Sequence, residues 1–247
     1  MPLASATCCC VKSESSRRSR ILFSVNFFTC FEWYPLKANA NLDQLIQAAD
    51  FVRKSRMGDT LEFCAIINGK SGGCSEDCAF CAQSRYGNGE RYPLLDQKEL
   101  VRQAEYYRDQ GIGRTSVVTA GKRLSEREIK TLEQVYRKIK GIALCASHGL
   151  LSQSELKRLK ATGVVRYHCN LETSRSFFPK ICTTHTFDQK LETIRAAKKA
   201  GLSLCSGLLI GMGETIYDRI DAAFTLRELG AESVPVNILV QFKNLFP

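Results

Sequence analysis

The chain has 247 residues, 44% of them hydrophobic, so it can bury the core of one large domain or of two small ones. Its 35 Lys and Arg residues exceed its 25 Asp and Glu residues and give a net charge of +10, but these charges form no compact basic-aromatic motif. We therefore expect solvated helix faces and no nucleic-acid partner.

Residues 1–36 differ in composition from the remainder. The basic stretch "SESSRRSR" precedes the apolar run "ILFSVNFF", and "KANA" begins at Lys37, an order similar to that of a signal peptide. Asn26 interrupts the apolar run, and no segment reaches the roughly 18 apolar residues of a membrane span. We interpret residues 1–36 as an unmatched leader, disordered or spurious, and residues 37–247 as one domain without a membrane partner.

From residue 37 onward the sequence alternates between helix and strand patterns. A helix is predicted over residues 42–55. Short apolar runs, typical of buried parallel strands, follow at residues 63–68, 114–120, 142–147, 164–169, 202–211 and 233–240.

The helices between these strands have marked ends. Ser125 with Glu128 and Ser152 with Glu155 form predicted capping boxes. A glycine closes each helix before the next strand, at Gly111, Gly141, Gly163, Gly201 and Gly230. Apolar residues form one face in two of the helices: Ile129, Leu132, Val135 and Ile139, and Phe187, Leu191, Ile194 and Ala197.

Six βα-type strands fit an open doubly wound sheet or a (β/α)8 barrel. No G-x-G-x-x-G follows the first predicted strand, which weakens the dinucleotide-binding alternative. We predict an α/β fold of the TIM-barrel type with about six βα units. Because the sequence ends at "QFKNLFP" soon after the sixth strand, we expect an incomplete barrel, truncated at its C-terminus.

The stretch "GGCSEDCAFCAQS" places Cys74, Cys78 and Cys81 at the spacing C-x3-C-x2-C after the first predicted strand. A structural zinc site normally needs four protein ligands, and a fourth is not nearby. A 4Fe-4S cluster held by three cysteines leaves one iron open, as a cluster that binds a reactant requires. The loop also follows a strand at the end where barrel enzymes build their active sites. The 12 unevenly spaced cysteines favour such chemistry in a reducing compartment, which implies a cytoplasmic protein.

This spacing, with Phe80 before the last cysteine, resembles the radical S-adenosylmethionine (SAM) enzymes. The stretches "SGGCSEDCAFCAQS", "YHCNLETS", "ICTTHTF", "CSGLLIGMGET" and "ESVPVNIL" resemble the biotin synthases of that superfamily in order and spacing, over about residues 40–240. The resemblance implies a barrel enzyme that uses deoxyadenosyl radicals to insert sulfur into dethiobiotin, the last step of biotin biosynthesis. It also implies an electron donor such as flavodoxin or ferredoxin, and a homodimer of the full-length protein.

The resemblance also implies roles for particular residues, with the radical itself carried by the cofactor and no catalytic side chain assigned. The three loop cysteines match the 4Fe-4S ligands, and Asn237 matches a substrate contact. The positions that match SAM contacts are Phe80, Asn170, Glu172, His185, Gly211, Gly213 and Glu214. A histidine is more often structural than functional, so the assignment of His185 competes with a structural one, as for His148 and His168.

An auxiliary iron-sulfur cluster is implied as well. Cys145 and Cys205 match two of its ligands, although each alone would be read as an ordinary buried cysteine. The third ligand of the usual 2Fe-2S site is matched by Val117, and its arginine would lie beyond residue 247, so the chain resembles the branch, typical of anaerobes, that lacks this set. We hypothesise that Cys64 completes the auxiliary ligands of a cluster of undetermined type. Two alternatives stay open: another enzyme of the subgroup, of the hydrogenase maturase or methylornithine synthase type, and an inactive fragment that only binds iron-sulfur.

Overall fold

The computed structural model describes residues 8–10, 41–59 and 61–240. The chain divides into two compact units, residues 11–61 and residues 1–10 with 62–247. The predicted boundary between residues 36 and 37 lies outside the described residues, as do most of the predicted leader and the segment "QFKNLFP", and the domain division stays a prediction.

The described part of the smaller unit is mainly one helix, α1 (Leu42–Met57). It begins at Asn41, whose side chain accepts a hydrogen bond from the Asp43 N–H at 3.0 Å, and it ends at Gly58 with a φ of 63°. The predicted helix is thereby confirmed and is two residues longer than expected. None of the described helices is long and apolar enough to cross a membrane.

The larger unit is built on two sheets. The first contains β1 (Cys8–Cys10), β2 (Glu62–Lys70), β3 (Arg114–Thr119), β4 (Ala143–Ser147), β5 (Val164–His168) and β6 (Ser203–Cys205). These strands lie side by side in chain order, β1 antiparallel to β2 and the others parallel. The second sheet pairs β7 (Leu208–Ile210) with β8 (Val236–Ile238) in parallel.

A helix connects each parallel strand of the first sheet to the next. The helices of the larger unit are α2 (Gln97–Asp109), α3 (Glu126–Lys138), α4 (Gln153–Ala161), α5 (Phe187–Lys199) and α6 (Ile216–Glu228), with one 3-10 turn at Phe178–Lys180. Both predicted capping boxes are present, and two further boxes start α5 and α6 at Thr186 and Thr215. The five predicted closing glycines all have a positive φ, from 61° to 103°.

The hydrophobic core lies between the first sheet and the helices. Both predicted apolar faces, on α3 and α5, are buried in it. The helices α2, α3, α4 and α5 pack against one another in chain order. This α/β repeat, with parallel strands in chain order, confirms the predicted barrel-type α/β fold.

The strand predicted over residues 202–211 is wrong as one continuous element, because it breaks at Ser206 and Gly207 into β6 and β7. A Cβ on Gly207 would lie 1.8 Å from the Pro235 carbonyl oxygen, so only glycine lets the two segments approach. The Leu208 N–H donates to that same carbonyl at 3.0 Å. After the break β7 pairs with β8, while Glu172, four residues beyond the end of β5, still forms a bridge to Leu208.

The match of Val117 to the third ligand position of the usual 2Fe-2S site does not fit the structure. Alternate residues of a strand face opposite sides, and Val117 is buried in the core on the helix side of the sheet. Ser116 is the residue of β3 that pairs in register with Cys145 of β4. The interior position of β3 therefore carries a hydroxyl.

Candidate functional site

The cysteine loop leaves the end of β2 and is closed at its base. Ser71 and Tyr92 exchange two backbone hydrogen bonds, at 3.0 and 3.1 Å. Gly72 has a φ of 63°, and a Cβ there would lie 2.6 Å from the Arg91 side chain and 2.8 Å from the Glu90 carbonyl oxygen. Glycine is therefore required at residue 72, where the start of the loop passes close to residues 90 and 91 at its end.

The loop presents three half-buried free thiols, Cys74, Cys78 and Cys81. The Cys81 N–H donates to the Cys78 carbonyl at 3.1 Å, which makes a tight turn between these two residues. The Glu76 N–H points to the Cys74 sulfur at 3.5 Å. Burial raises the pKa of the Cys78 and Cys81 thiols. Such thiols become thiolates on binding a metal centre.

Residues 181–185, about a hundred positions later in the chain, hold the loop in place. The Ala79 N–H donates to the Ile181 carbonyl at 2.9 Å. The Asp77 carboxylate accepts from the Thr183 N–H at 2.9 Å and from the Thr183 hydroxyl. The Thr184 hydroxyl donates to Glu76 at 2.8 Å. These contacts explain why the stretches "GGCSEDCAFC" and "ICTTHTF" form one site.

His185 belongs to this contact region and lies beside the cysteine loop. Its Nδ1 is 2.7 Å from Glu76 Oε2, and both side chains are more than nine-tenths buried. Burial lowers the pKa of His185, and the Glu76 hydrogen bond only partly opposes this. Cys182 Sγ lies 3.2 Å from His185 Nδ1 and 3.7 Å from Cys78 Sγ. Sequence reasoning missed Glu76 and left Cys182 unassigned, although the Cys-x-x-His spacing was a visible signal.

Asn170 and Glu172 come together just after β5. The Asn170 side-chain oxygen accepts from the Gly207 N–H at 2.9 Å, and its Nδ2 lies 3.5 Å from Glu172 Oε2. Glu172 has a φ of 71°, unusual for a residue with a side chain, and two backbone hydrogen bonds to Gly207 and Leu209 hold it there. The strained conformation fixes where the Glu172 carboxylate points.

Lys190 of α5 lies beside the Glu172 carboxylate and carries the opposite charge. The sequence alone did not single it out, because it looks like any other lysine on a helix surface. Its Nζ donates to the Asn170 carbonyl at 2.9 Å and lies 3.4 Å from Glu172 Oε1. Burial alone would lower the pKa of Lys190, but the neighbouring Glu172 carboxylate and the Cys169 and Cys78 sulfurs raise it above its ordinary value. The Glu172 carboxylate therefore favours the protonated form of Lys190.

The glycine motif forms a loop after β7. Gly211 and Gly213 have φ values of 96° and 97°. The Glu214 carboxylate turns back and accepts from the Gly211 and Met212 N–H groups at 2.9 and 2.8 Å, and from Arg219 at 2.8 Å. Burial would raise the pKa of Glu214, but these donors lower it below its usual range. Glu214 thus shapes the loop.

Two further predicted residues lie in the cysteine loop and on β8. Phe80 is half-buried and packs against the hydrophobic core. Asn237 is exposed on β8, in register with Leu209 of β7.

A second group of cysteines lines the interior side of the first sheet. Cys64, Cys145 and Cys205 are buried cysteines on β2, β4 and β6, and none of the three is in a disulfide. A hydrogen bond with Cys64 and the charges of Arg114 and Arg166 lower the pKa of Cys145 to about 7.

The surroundings of the interior cysteines are polar. Arg114 Nη1 lies 3.7 Å from Cys145 Sγ, and His168 Nδ1 lies 3.2 Å from Cys205 Sγ. Within the described ranges, Ser116 Oγ and Arg114 Nε are buried without a hydrogen-bond partner. Buried donors left unsatisfied cost free energy. A further polar group bound in this interior would accept hydrogen bonds from them.

Comparison with known proteins decides the family. The sequence model of the Radical SAM superfamily matches residues 70–226. This chain belongs to the Radical SAM superfamily. The match begins at the last residue of β2 and ends in α6, so it includes the cysteine loop, the Glu172 group and the glycine motif.

Individual relatives of this radical SAM chain carry one recurring name. A biotin synthase of Clostridium botulinum (strain Alaska E43 / Type E3) is 52% identical over 208 residues, 82% of this chain and 65% of that protein. Biotin synthase 2 of Corynebacterium diphtheriae is 50% identical over 208 residues, 82% of this chain and 63% of that protein. The chain therefore spans just under two thirds of the length of these relatives.

Solved structures share the fold. Methylornithine synthase superposes with a TM-score of 0.76 at 19% identity, covering 85% of this chain and 64% of that chain. The FeFe-hydrogenase maturase of Carboxydothermus hydrogenoformans gives 0.71 at 21% identity, covering 85% and 53%. At these identities the likeness extends to the radical SAM fold alone.

Proposed function

We propose that Cys74, Cys78 and Cys81 hold a 4Fe-4S cluster whose fourth iron binds SAM. The observation that carries the proposal is one closed loop with three half-buried free thiols, among them Cys74, which faces a backbone N–H. Thiolate ligands with hydrogen bonds to sulfur are the usual environment of such clusters. When bound and reduced, the cluster supplies the electron that cleaves SAM.

The residues around the loop orient the cosubstrate in this proposal. The Glu172 carboxylate, held by its backbone and by Lys190, offers acceptors for the ribose hydroxyls, and Asn170 adds an amide. Gly211 and Gly213 allow a close approach to the backbone, while Phe80 faces the adenine. His185 would contact the SAM carboxylate from beside Cys78. Glu214 acts through the loop it shapes, as a positioning residue.

We further propose that the chain is a biotin synthase, a sulfur-transferring enzyme acting on dethiobiotin. The support is the 52% identity to a protein of that name and the interior thiols Cys64, Cys145 and Cys205, which offer a second iron-sulfur site on the same barrel. Arg114 and Ser116, buried with unsatisfied donors, would contact that auxiliary cluster. Asn237 would bind the ureido ring of dethiobiotin through its amide.

The proposal extends to partners and location. A one-electron donor such as flavodoxin or ferredoxin would reduce the cluster, two copies would form a homodimer, and the reducing cytoplasm would keep the thiols reduced. None of the eight described cysteines outside β1 is in a disulfide, which is consistent with that compartment.

The loop assignment is tested by anaerobic reconstitution with iron and sulfide, followed by iron analysis. Each of Cys74→Ser, Cys78→Ser and Cys81→Ser should abolish the SAM-responsive electron paramagnetic resonance signal of the reduced cluster. Cys169→Ser is the matched control, because Cys169 is a buried thiol of the hydrophobic core. An unchanged signal in the loop variants, or its loss in the control alone, contradicts the assignment.

The auxiliary site has its own test. Cys64→Ala should lower the iron content beyond the loop cluster, because it removes one thiol of the interior set. A Cys64→Ala variant that keeps its full auxiliary iron removes Cys64 from the ligand set while leaving the loop cluster unaffected.

A further inference from the structure

Three side chains that can bind a metal ion meet beside the cysteine loop, and one of them, Cys78, belongs to the loop. Cys78, Cys182 and His185 each direct one ligand atom into a common space, and these atoms all lie within 4.8 Å of one another. Cys182 and His185 are buried, and Cys78 is half-buried. The group shares Cys78 with the proposed cluster but excludes Cys74 and Cys81.

The spacing of the sulfur atoms matches a single tetrahedral ion. Two Zn–S bonds of about 2.3 Å at the tetrahedral angle separate their sulfurs by about 3.8 Å. Cys78 Sγ and Cys182 Sγ are 3.7 Å apart. His185 Nδ1 lies 3.2 Å from Cys182 Sγ, close to the sulfur–nitrogen separation of about 3.6 Å that one zinc ion requires.

Glu76 contacts the same imidazole nitrogen of His185. Its Oε2 lies 2.7 Å from Nδ1, so an ion bound at Nδ1 takes the place of the proton in this hydrogen bond. The ion then lies beside the Glu76 carboxylate, whose negative charge stabilises it. The Phe178 ring, 5.5 Å from the imidazole between centroids, fixes the ring from its edge.

The site is open on one side. A groove of about 360 Å³ is lined by Cys182 and His185 together with Phe178 and Thr183. An ion held by three protein ligands keeps one position for a water molecule, and the groove provides the entry path.

We propose that the chain without its cluster binds one soft divalent cation, such as Zn²⁺, through Cys78, Cys182 and His185. The two thiols release their protons to solvent when the ion binds. Because Cys78 cannot serve both centres, the cation excludes the three-cysteine cluster and must leave before the cluster assembles. The site goes beyond the proposed function and holds whether or not the chain acts on dethiobiotin.

The first test is a Zn²⁺ titration of the anaerobic, chelator-stripped and reduced chain against a chromophoric chelator. Wild type and Cys81→Ala should bind one tight equivalent more than Cys182→Ala and Cys78→Ala, and Glu76→Gln should weaken that equivalent by about 10- to 100-fold. Cys81→Ala removes a thiol of the loop set and Cys182→Ala removes a thiol of this site, so the comparison of these two variants isolates this site. Co²⁺ in the same equivalent should show tetrahedral bands with charge transfer from thiolates.

Cluster assembly gives the independent measurement. Cys182→Ser should accept the 4Fe-4S cluster like wild type, and Zn²⁺ added first should delay assembly in wild type but not in Cys182→Ser. Cys81→Ala should lose the cluster and keep the zinc equivalent, so a failed cluster proposal and a failed zinc proposal give different results. Equal zinc stoichiometry in wild type and folded Cys182→Ser, or zinc loss in Cys81→Ala, overturns the inference.

Discussion

Lys190 shows how one buried cation organises the predicted cosubstrate region. Its ion pair with Glu172 is only 12% and 13% exposed on the two side chains, respectively. Removing one partner of a buried pair leaves an uncompensated charge, which costs several kcal/mol, whereas removing both can be nearly neutral. The pair therefore imposes a geometry on Glu172.

We predict that Lys190→Met lowers the free energy of unfolding by about 3 kcal/mol in urea denaturation. The double variant Lys190→Met with Glu172→Gln should recover a large part of that loss, because no buried charge is left alone. Lys157→Met, on an exposed lysine of α4, is the control and should change stability little. Additive losses in the double variant would contradict a coupled pair.

His148 is a structural histidine, as the alternative assignment from sequence suggested. Its Nδ1 and Nε2 lie 3.0 Å from the Thr119 hydroxyl and 2.8 Å from the Tyr136 hydroxyl, and the ring is buried. Burial lowers the pKa of His148 to about 3 from 6.5. The folded chain therefore keeps this imidazole neutral where the unfolded chain would protonate it.

The pH dependence follows from that pKa. Above pH 6.5 both states are neutral and His148 has no effect, whereas from pH 6.5 down to pH 3 only the unfolded state gains the proton, so stability falls. Between pH 7 and pH 5 the His148 contribution should reduce the free energy of unfolding by about 2 kcal/mol. His148→Gln, which does not titrate, should show a pH slope smaller by that amount in parallel denaturation series. Identical slopes would mean that His148 is accessible to protons in the folded state.

At the scale of elements, the break between β6 and β7 ends the first sheet and begins the second, in which β7 pairs with β8. It also places Gly207 beside Asn170. Gly207→Ala would insert a Cβ 1.8 Å from the Pro235 carbonyl oxygen. We expect a loss of about 1–3 kcal/mol in the free energy of unfolding, as for overpacked sites. Gly113→Ala is the matched control, since a Cβ there meets nothing within 4 Å. Equal stability of the two variants would show that the backbone at residue 207 relaxes freely.

Sequence periodicity and end signals predicted most elements because they act locally. The capping boxes at Ser125 and Ser152 are fixed by neighbours three residues away, and both formed as expected. The break at Gly207 was missed because its cause, the Pro235 carbonyl, is 28 residues distant. Val117 was mismatched because a strand of short, similar side chains, Thr115 to Thr119, does not reveal which alternate residues face the interior.

At the scale of the molecule, the difference between local patterns and long-range contacts also decides which cysteines could be assigned from sequence. The spacing of Cys74, Cys78 and Cys81 is a local pattern and could be recognised directly. The approach of Cys182 to Cys78 depends on residues 104 positions apart, joined through Asp77 and Thr183. Long-range contacts of this kind leave no spacing in the sequence to read.

The parallel strands bring the functional groups to neighbouring strand ends. The cysteine loop follows β2, the Asn170 and Glu172 pair follows β5, and the Gly211 loop follows β7. In barrel-type folds these carboxyl ends share one face, the usual location of active sites. The family match from residue 70 to residue 226 covers all three groups.

The central claim is that this radical SAM chain cleaves SAM when dethiobiotin is present. The most direct measurement is 5'-deoxyadenosine formation by the reconstituted, reduced chain with SAM, with and without dethiobiotin. We predict product that depends on dethiobiotin and disappears in Cys78→Ser. Product that forms equally without dethiobiotin would contradict the proposed substrate, and no product from a chain with a fully loaded cluster would contradict the proposed activity.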